Sequence, residues 1–234
     1  MPDIPPPSGP DRRDFLGAPL PYSPPHPITA HPLPRDGRRH VGQLEPLLVR
    51  QWPPGTRPSQ PLVDAVDRLA ELPAHLTHLL AGHLRAIYVG PGGVPELDGR
   101  QYLRGVPLDP ARPEITWDLV AGCYGDGVIV VGDMPSHSCD VMLHEIGHAL
   151  DHADGGGGMR SESDPDWRAL HRMLRPALPP RYHHPRELFA EAFAACAAGE
   201  AEELMRLCDR DARRAEMLWV WFYSQYGVGT AVGR

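Results

Sequence analysis

The stretch VMLHEIGHALD, residues 141 to 151, constrains the fold of this chain more than any other. His144 and His148 are four residues apart in an apolar, helix-forming run, so both lie on one helical face about 6 Å apart along the axis. This spacing lets two imidazoles reach one Zn²⁺ ion. Glu145 projects about 100° further round the helix, where a carboxylate can activate a metal-bound water without binding the metal. The stretch therefore predicts half of a zinc hydrolase site, which needs a third ligand from elsewhere.

Length and charge exclude several classes of protein. The 234 residues suffice for one sizeable domain or two small ones, and 23 basic against 30 acidic residues give a formal charge of -7. We therefore expect no nucleic-acid partner. No apolar run approaches the roughly 20 residues of a membrane span. The N-terminal residues have neither a basic segment nor an apolar segment, so we expect no Sec signal peptide, while export by another route stays open.

The four cysteines show no C-x-x-C spacing, which argues against a zinc site made of cysteines. We predict reduced, partly buried thiols, and a bridge between Cys139 and Cys196 stays an open alternative.

Proline density divides the chain. Residues 1–61 contain 17 of the 29 prolines, which remove backbone donors and fix φ. We predict a largely disordered arm over residues 1–57, followed by one domain over residues 58–234. Within the arm, Val41 to Arg50 is compatible with a short helix that docks on the domain. An alternative role for the arm is that of a ligand for proline-binding modules.

The pattern of the domain is α+β and mostly helical. Helical spacing covers residues 62–72 and recurs at residues 76–80, and residues 85–90 have the composition of a strand. Gly-Asp-Gly at residues 125–127 separates two β-prone runs, which predicts a hairpin shortly before the His-Glu-x-x-His helix. The run Val128–Val131 is either an edge strand that pairs with an extended substrate or a buried strand of a small sheet.

Helix signals also flank and follow the central stretch. Asp140 is suited to cap the helix that carries His144, and Asp164 or Asp166 can cap a helix that ends before Pro176. Pro185 suits the first turn of a further helix, which Gly199 ends. Two more helical stretches are predicted at residues 201–208 and 211–226.

Three sets of residues compete to be the third metal ligand. The metzincin pattern requires glycine at position 151 and histidine at position 154, but both positions hold aspartate. Asp154 could still bind the metal itself. The second candidate is Glu187, with Glu191 one helical turn later. The third set consists of His152, His183 and His184.

Glu187 and Glu191 are favoured because they stand in an otherwise apolar helix, ELFAEAFAA. Burying two unpaired carboxylates would cost several kcal/mol or more. A divalent cation bound by one carboxylate, and a ligand histidine held by the other, would remove that cost.

The motif at residues 144–151, the loop at 161–167 and the helix at 185–193 together resemble the catalytic domain of the anthrax lethal factor-like metalloproteases, which bacterial Pro-Pro endopeptidases share. The resemblance covers about residues 84–200. It implies a zincin-like domain that binds Zn²⁺ through one glutamate and two histidines, with a general base, a carboxylate beside a ligand, and a tyrosine that stabilises the oxyanion. Carried over to this sequence, the metal ligands are His144, His148 and Glu187, the base is Glu145, the supporting carboxylate is Glu191 and the tyrosine is Tyr182.

We therefore predict a zinc metallopeptidase that acts on a peptide or protein substrate. Two alternatives stay open at this stage. One is an inactive zinc-binding module that binds a partner through the same groove, and the other is a zinc hydrolase of a non-peptide amide. The oligomeric state is not predicted.

Overall fold

The computed structural model of the protein describes residues 23–29 and 33–229. For residues 1–22 and 30–32, the disorder predicted for the proline-rich arm lies outside the described residues. Within the described ranges, no helix is both long and apolar enough to cross a membrane.

The described residues form an α+β fold that is mostly helical, which confirms the predicted class. The strands are β1 (Leu48–Arg50), β2 (Ala86–Val89), β3 (Pro107–Asp109), β4 (Arg112–Thr116), β5 (Gly122–Gly125) and β6 (Val128–Val131). The α-helices are α1 (Gln60–Glu71), α2 (Ala74–His83), α3 (Val141–Ala153), α4 (Arg160–Ser163), α5 (Pro165–Leu174), α6 (Pro185–Ala198), α7 (Ala201–Leu207) and α8 (Ala212–Tyr226). Short 3₁₀ helices lie at Gly42–Leu47, Val94–Glu96, Gln101–Leu103, Trp117–Leu119, Arg175–Ala177 and Pro180–His183.

Four strands form the main sheet in the order β1-β2-β6-β5, and β3 pairs with β4 in a separate hairpin. Strands β1, β2 and β6 are parallel, whereas β5 runs antiparallel to β6. The predicted β5–β6 hairpin is confirmed: Asp126 and Gly127 have φ of 52° and 72°, as a type I′ turn requires. Because β6 lies between β2 and β5, the hypothesis that Val128–Val131 is an edge strand is wrong. The edge strands are β1 and β5.

Part of the predicted arm belongs to the fold. Strand β1 pairs with β2 in parallel register, and Arg50 is 2% exposed. Its guanidinium donates hydrogen bonds to the carbonyl of Gly37 and to the carboxylate of Glu45. The folded part of the chain therefore begins before residue 58. The prolines at 46 and 53 leave a proline-free run between them, long enough for one short strand at the sheet edge.

Helix boundaries follow the signals in the sequence. Asp140 accepts a hydrogen bond from the N–H of Leu143 and caps α3, and Asp164 caps α5 in the same way. Helix α6 begins at Pro185 and ends at Gly199, whose φ of 72° is left-handed. These predictions are confirmed.

The main core lies between one face of the sheet and the helices. Ile129 and Val131 of β6 belong to this core, and β6 packs against α3. Val130 points to the opposite face and packs against Val94 and Leu97 in a smaller cluster. Helix α3 is therefore held between the sheet and α6, which places its His-Glu-x-x-His segment beside the edge strand β5.

Candidate metal centre

Helices α3 and α6 touch backbone to backbone at Gly147. A Cβ atom at this position would lie 2.7 Å from the Cα and 3.0 Å from the carbonyl oxygen of Ala190. Only glycine allows an approach this close, because any larger side chain would wedge the two helices apart.

The crossing places four polar side chains opposite one another. Each helix carries one of them three residues before the contact point and another one residue after it. On α3 these residues are His144 and His148, and on α6 they are Glu187 and Glu191. Because residues three and four apart share a helical face, both pairs project to the same side of the crossing.

His144, His148 and Glu187 form a group that could hold a metal ion, with one ligand atom of each within 4.8 Å of the others. The Nε2 atom of His144 is 3.7 Å from Oε2 of Glu187, and Nε2 of His148 is 3.7 Å from Oε1. Ligand atoms of a tetrahedral zinc site, with bonds of about 2.0–2.1 Å, are separated by about 3.3 Å. The two histidine–glutamate distances fit such a site to within a few tenths of an ångström.

Glu191 fixes the orientation of His144. Its Oε2 atom is 3.0 Å from Nδ1 of His144, and its Oε1 atom accepts a hydrogen bond from the main-chain N–H of Cys139 at 3.2 Å. The side chain of Glu191 is only 4% exposed. With Nδ1 donating to this carboxylate, Nε2 carries the lone pair and faces Glu187, as a metal ligand must.

Glu145 lies on the neighbouring face of α3, against the edge strand. A Cβ atom at Gly122 of β5 would be 3.0 Å from Oε1 of Glu145. Burial raises the pKa of Glu145 to about 7; nearby His144 lowers it, the charge of Glu187 raises it and the main-chain N–H of Tyr124 lowers it. A carboxylate with a pKa near neutrality is suited to accept and return a proton.

The charges of the site fit a divalent cation. Burial alone would lower the pKa of His144, but its hydrogen bonds to Glu187 and Glu191 outweigh burial and raise it well above the ordinary value. Burial and the charge of His144 lower the pKa of His148. Three carboxylates thus converge on two imidazoles and favour added positive charge. A donor set of two imidazole nitrogens and one carboxylate is typical of catalytic Zn²⁺ sites.

Tyr182 lies in the 3₁₀ helix Pro180–His183, directly before α6, and is 4% exposed. The guanidinium of Arg181 stacks over its ring at 4.7 Å from the centroid. Burial, together with the charge of Glu191, raises the pKa of Tyr182 to about 12, so the phenol keeps its proton and can donate a hydrogen bond. Its role as the oxyanion donor stays a prediction.

The structure does not bring the other proposed ligands to this group, among the residues that it describes. Asp154 ends α3 and pairs with Arg160 at 2.6 Å. His152 contacts the hydroxyl of Tyr124, and His183 contacts the carbonyl of Leu178. His184 is 56% exposed and lies 3.9 Å from Glu162.

Two features of the site were not predicted from the sequence. The first is the wall that Gly122 and Tyr124 of β5 form against Glu145. The only signal was a glycine inside a β-prone run, which often marks a close approach of another group. The second is the N–H of Cys139, which holds Glu191 and gives no signal in a side-chain pattern.

No family model matches the chain, and no curated protein matches its sequence. Among solved structures, the chain is similar to the Pro-Pro endopeptidase PPEP-2 from Paenibacillus alvei, with a TM-score of 0.56 and 21% sequence identity. The match covers 77% of this chain and 100% of that chain. At this level of identity the likeness shows a shared fold. The chain thus has the α+β fold of that endopeptidase, with a His-His-Glu group at the crossing of two helices.

Proposed function

We propose that the protein is a zinc-dependent endopeptidase. The observation that carries the proposal is the convergence of His144, His148 and Glu187, with the buried carboxylate of Glu145 beside them. Three protein ligands leave one position of a tetrahedral metal open, as in catalytic rather than structural zinc sites. The likeness of the fold to a Pro-Pro endopeptidase supports a peptide as the substrate.

The residues of the site divide the chemistry among them. When bound, Zn²⁺ supplies a Lewis acid that lowers the pKa of a water molecule towards about 7 and polarises the scissile carbonyl. Glu145 accepts the proton of that water on its carboxylate and returns it to the leaving amine. Glu191 keeps His144 in the tautomer that presents Nε2. Tyr182 donates a hydrogen bond to the developing oxyanion, a role that typically contributes about 10²-fold or more.

Strand β5 is suited to bind the substrate backbone. It is one of the two edge strands of the main sheet within the described residues, and its Gly122 lies directly against Glu145. An extended peptide that adds to this edge would run past the general base, with main-chain hydrogen bonds providing affinity and side-chain pockets providing specificity.

The test is cleavage of a peptide library, including peptides with Pro-Pro bonds, by the zinc-loaded protein. We expect cleavage by the wild type. Glu145→Ala should retain one zinc per chain by elemental analysis, while kcat/KM falls by about 10²–10⁴-fold because the proton acceptor is gone. A Glu145→Ala variant with unchanged turnover would remove the general-base role. A wild type that cleaves no peptide, or a metal spectrum that shows four protein ligands, would refute the proposed function.

A further inference from the structure

Outside the candidate metal centre, a second cluster of titratable side chains surrounds the hydroxyl of Tyr124. This oxygen is 2.7 Å from Nε2 of His83 and 2.7 Å from Nδ1 of His152. The two imidazole rings meet edge to face, with centroids 4.8 Å apart. One phenol is therefore clamped between two histidines.

The three groups can satisfy one another's hydrogen bonds. A phenol has one hydrogen to donate, so it donates to one imidazole and accepts the N–H of the other. Each partner comes from a different element: His83 ends α2, Tyr124 lies in β5, and His152 is in the last turn of α3. The clamp thus fixes the edge strand to two helices at once.

The main chain of the clamped residue reaches the general base. The N–H of Tyr124 interacts with the carboxylate of Glu145, and Gly122, two residues earlier, packs against the same carboxylate. Glu145 is 5% exposed and lies between its own helix and this strand. The position of β5 therefore sets the position of the Glu145 carboxylate relative to the candidate metal ligands.

We propose that Tyr124 is a positioning residue: His83 and His152 hold its hydroxyl, and Tyr124 in turn holds Glu145 in the orientation needed for proton transfer. This inference rests on the proposed endopeptidase function. A displacement of about 1 Å at a reacting group can reduce a rate by about 10²-fold, so a clamp of this kind has a direct effect on turnover.

A merely structural clamp would change stability, metal affinity and substrate affinity together. A positioning clamp changes kcat and leaves KM and zinc affinity unchanged, because the metal ligands are not altered and the pairing of β5 with β6 keeps the strand in the sheet. Replacement of the two histidines separates these cases. Glutamine can place its amide nitrogen near the position of Nε2, and asparagine near that of Nδ1, so His83→Gln and His152→Asn keep a hydrogen bond to the phenol, whereas alanine removes it.

The experiment measures kcat, KM and zinc affinity, the last by competition with a chromophoric chelator, for Tyr124→Phe and for both pairs of histidine variants. We expect kcat to fall about tenfold or more in Tyr124→Phe, His83→Ala and His152→Ala, with KM and zinc affinity within twofold of the wild type. His83→Gln and His152→Asn should keep at least half of the wild-type kcat. His78→Ala, at an exposed histidine of the same helix α2, is the matched control and should match the wild type.

Three results would overturn the inference. One is a wild-type kcat in Tyr124→Phe, and another is a parallel loss of kcat and zinc affinity. The third is an equal loss of kcat in the alanine variants and in their glutamine and asparagine counterparts. If Tyr124→Phe fails to fold, the alanine variants of His83 and His152, compared with His83→Gln and His152→Asn, still test the inference. A wild type that cleaves no peptide refutes the proposed function, whereas an active wild type with an unaffected Tyr124→Phe refutes the positioning role alone.

Discussion

Two pairs of histidines that involve helix α3 have almost the same ring geometry but different surroundings. The rings of His144 and His148 are 4.8 Å apart at 83°, and those of His83 and His152 are 4.8 Å apart at 77°. The first pair faces the carboxylates of α6, and the second pair faces the hydroxyl of Tyr124.

The difference shows that two close imidazoles do not by themselves define a metal site. Around the first pair, hydrogen bonds to Glu187 and Glu191 raise the pKa of His144, so the site favours added positive charge. In the second pair, burial and then the charge of His152 lower the pKa of His83, so His83 favours its neutral form. We therefore expect a metal ion at the first pair and a hydrogen-bonded clamp at the second.

Removal of the carboxylate ligand should have the largest effect. Glu187→Ala should lower zinc affinity by about 10³-fold, because one of three ligands is lost from a site whose total binding free energy is typically 10–16 kcal/mol. The measurement is a zinc titration against a chelator of known affinity. Asp154→Ala is the matched control, since Asp154 pairs with Arg160 instead.

The comparison of the two histidine pairs adds a second control to this titration. His152→Ala should bind one zinc per chain with wild-type affinity, because the clamp holds no metal. Full zinc binding in Glu187→Ala, together with loss in Asp154→Ala or His152→Ala, would reverse the assignment of the third ligand.

Disruption of the close contact between α3 and α6 should have the next largest effect. Gly147→Ala would place a methyl group 2.7 Å from the Cα of Ala190, so α3 and α6 must separate. We expect a loss of about 2–3 kcal/mol in the free energy of unfolding and weaker zinc binding, since the ligands lie on both helices. Gly82→Ala is the matched control. That helical position has open space around its Cβ, and the substitution should be neutral or stabilise the protein by up to about 1 kcal/mol.

Urea unfolding of the metal-free and the zinc-loaded protein separates the effect of Gly147→Ala on helix packing from its effect on zinc binding. If Gly147→Ala were as stable as Gly82→Ala in both forms, the close crossing would not be what aligns the two pairs of side chains.

Local signals explain what could be predicted from the sequence. The spacing of His144 and His148, the cap at Asp140 and the Gly-Asp-Gly turn each depend on neighbours within a few residues. The apolar setting of Glu187 and Glu191 identified the second helix, because a buried carboxylate, as Glu191 is, needs a partner that the sequence can be searched for.

Non-local pairing explains what could not be predicted. Strand β1 has only three residues and becomes a strand because it pairs with β2, in which the partner of Leu48 is Ile87, 39 positions later in the chain. The place of β6 inside the sheet depends on another non-local pairing, in which Ile129 of β6 lies opposite Ile87 of β2. His152 was considered as a ligand, since the sequence does not show that Tyr124 lies opposite it.

The smallest expected effect is on the pH dependence of stability in the metal-free protein, where His83 and His144 can be compared directly. The pKa of His83 is lowered in the folded state, so below about pH 6.5 the unfolded chain binds more protons and stability falls with acidification. The pKa of His144 is raised, so its contribution is fully present below about pH 6.5 and is lost as the pH rises through the folded-state pKa. His83 and His144 therefore act in opposite directions on either side of about pH 6.5.

Urea unfolding in the presence of a chelator, from pH 5 to pH 9, should resolve these two contributions, and the pH values bracket the histidine pKa of about 6.5. His83→Gln should flatten the acid side only, since glutamine keeps a hydrogen bond to Tyr124 but cannot be protonated. His144→Gln should flatten the alkaline side only. His78→Ala, on the same helix as His83, corrects for the loss of an exposed histidine. If His83→Gln and His144→Gln altered the same side of the profile, His83 and His144 would have the same electrostatic environment. Charge would then identify the metal site no better than ring geometry does.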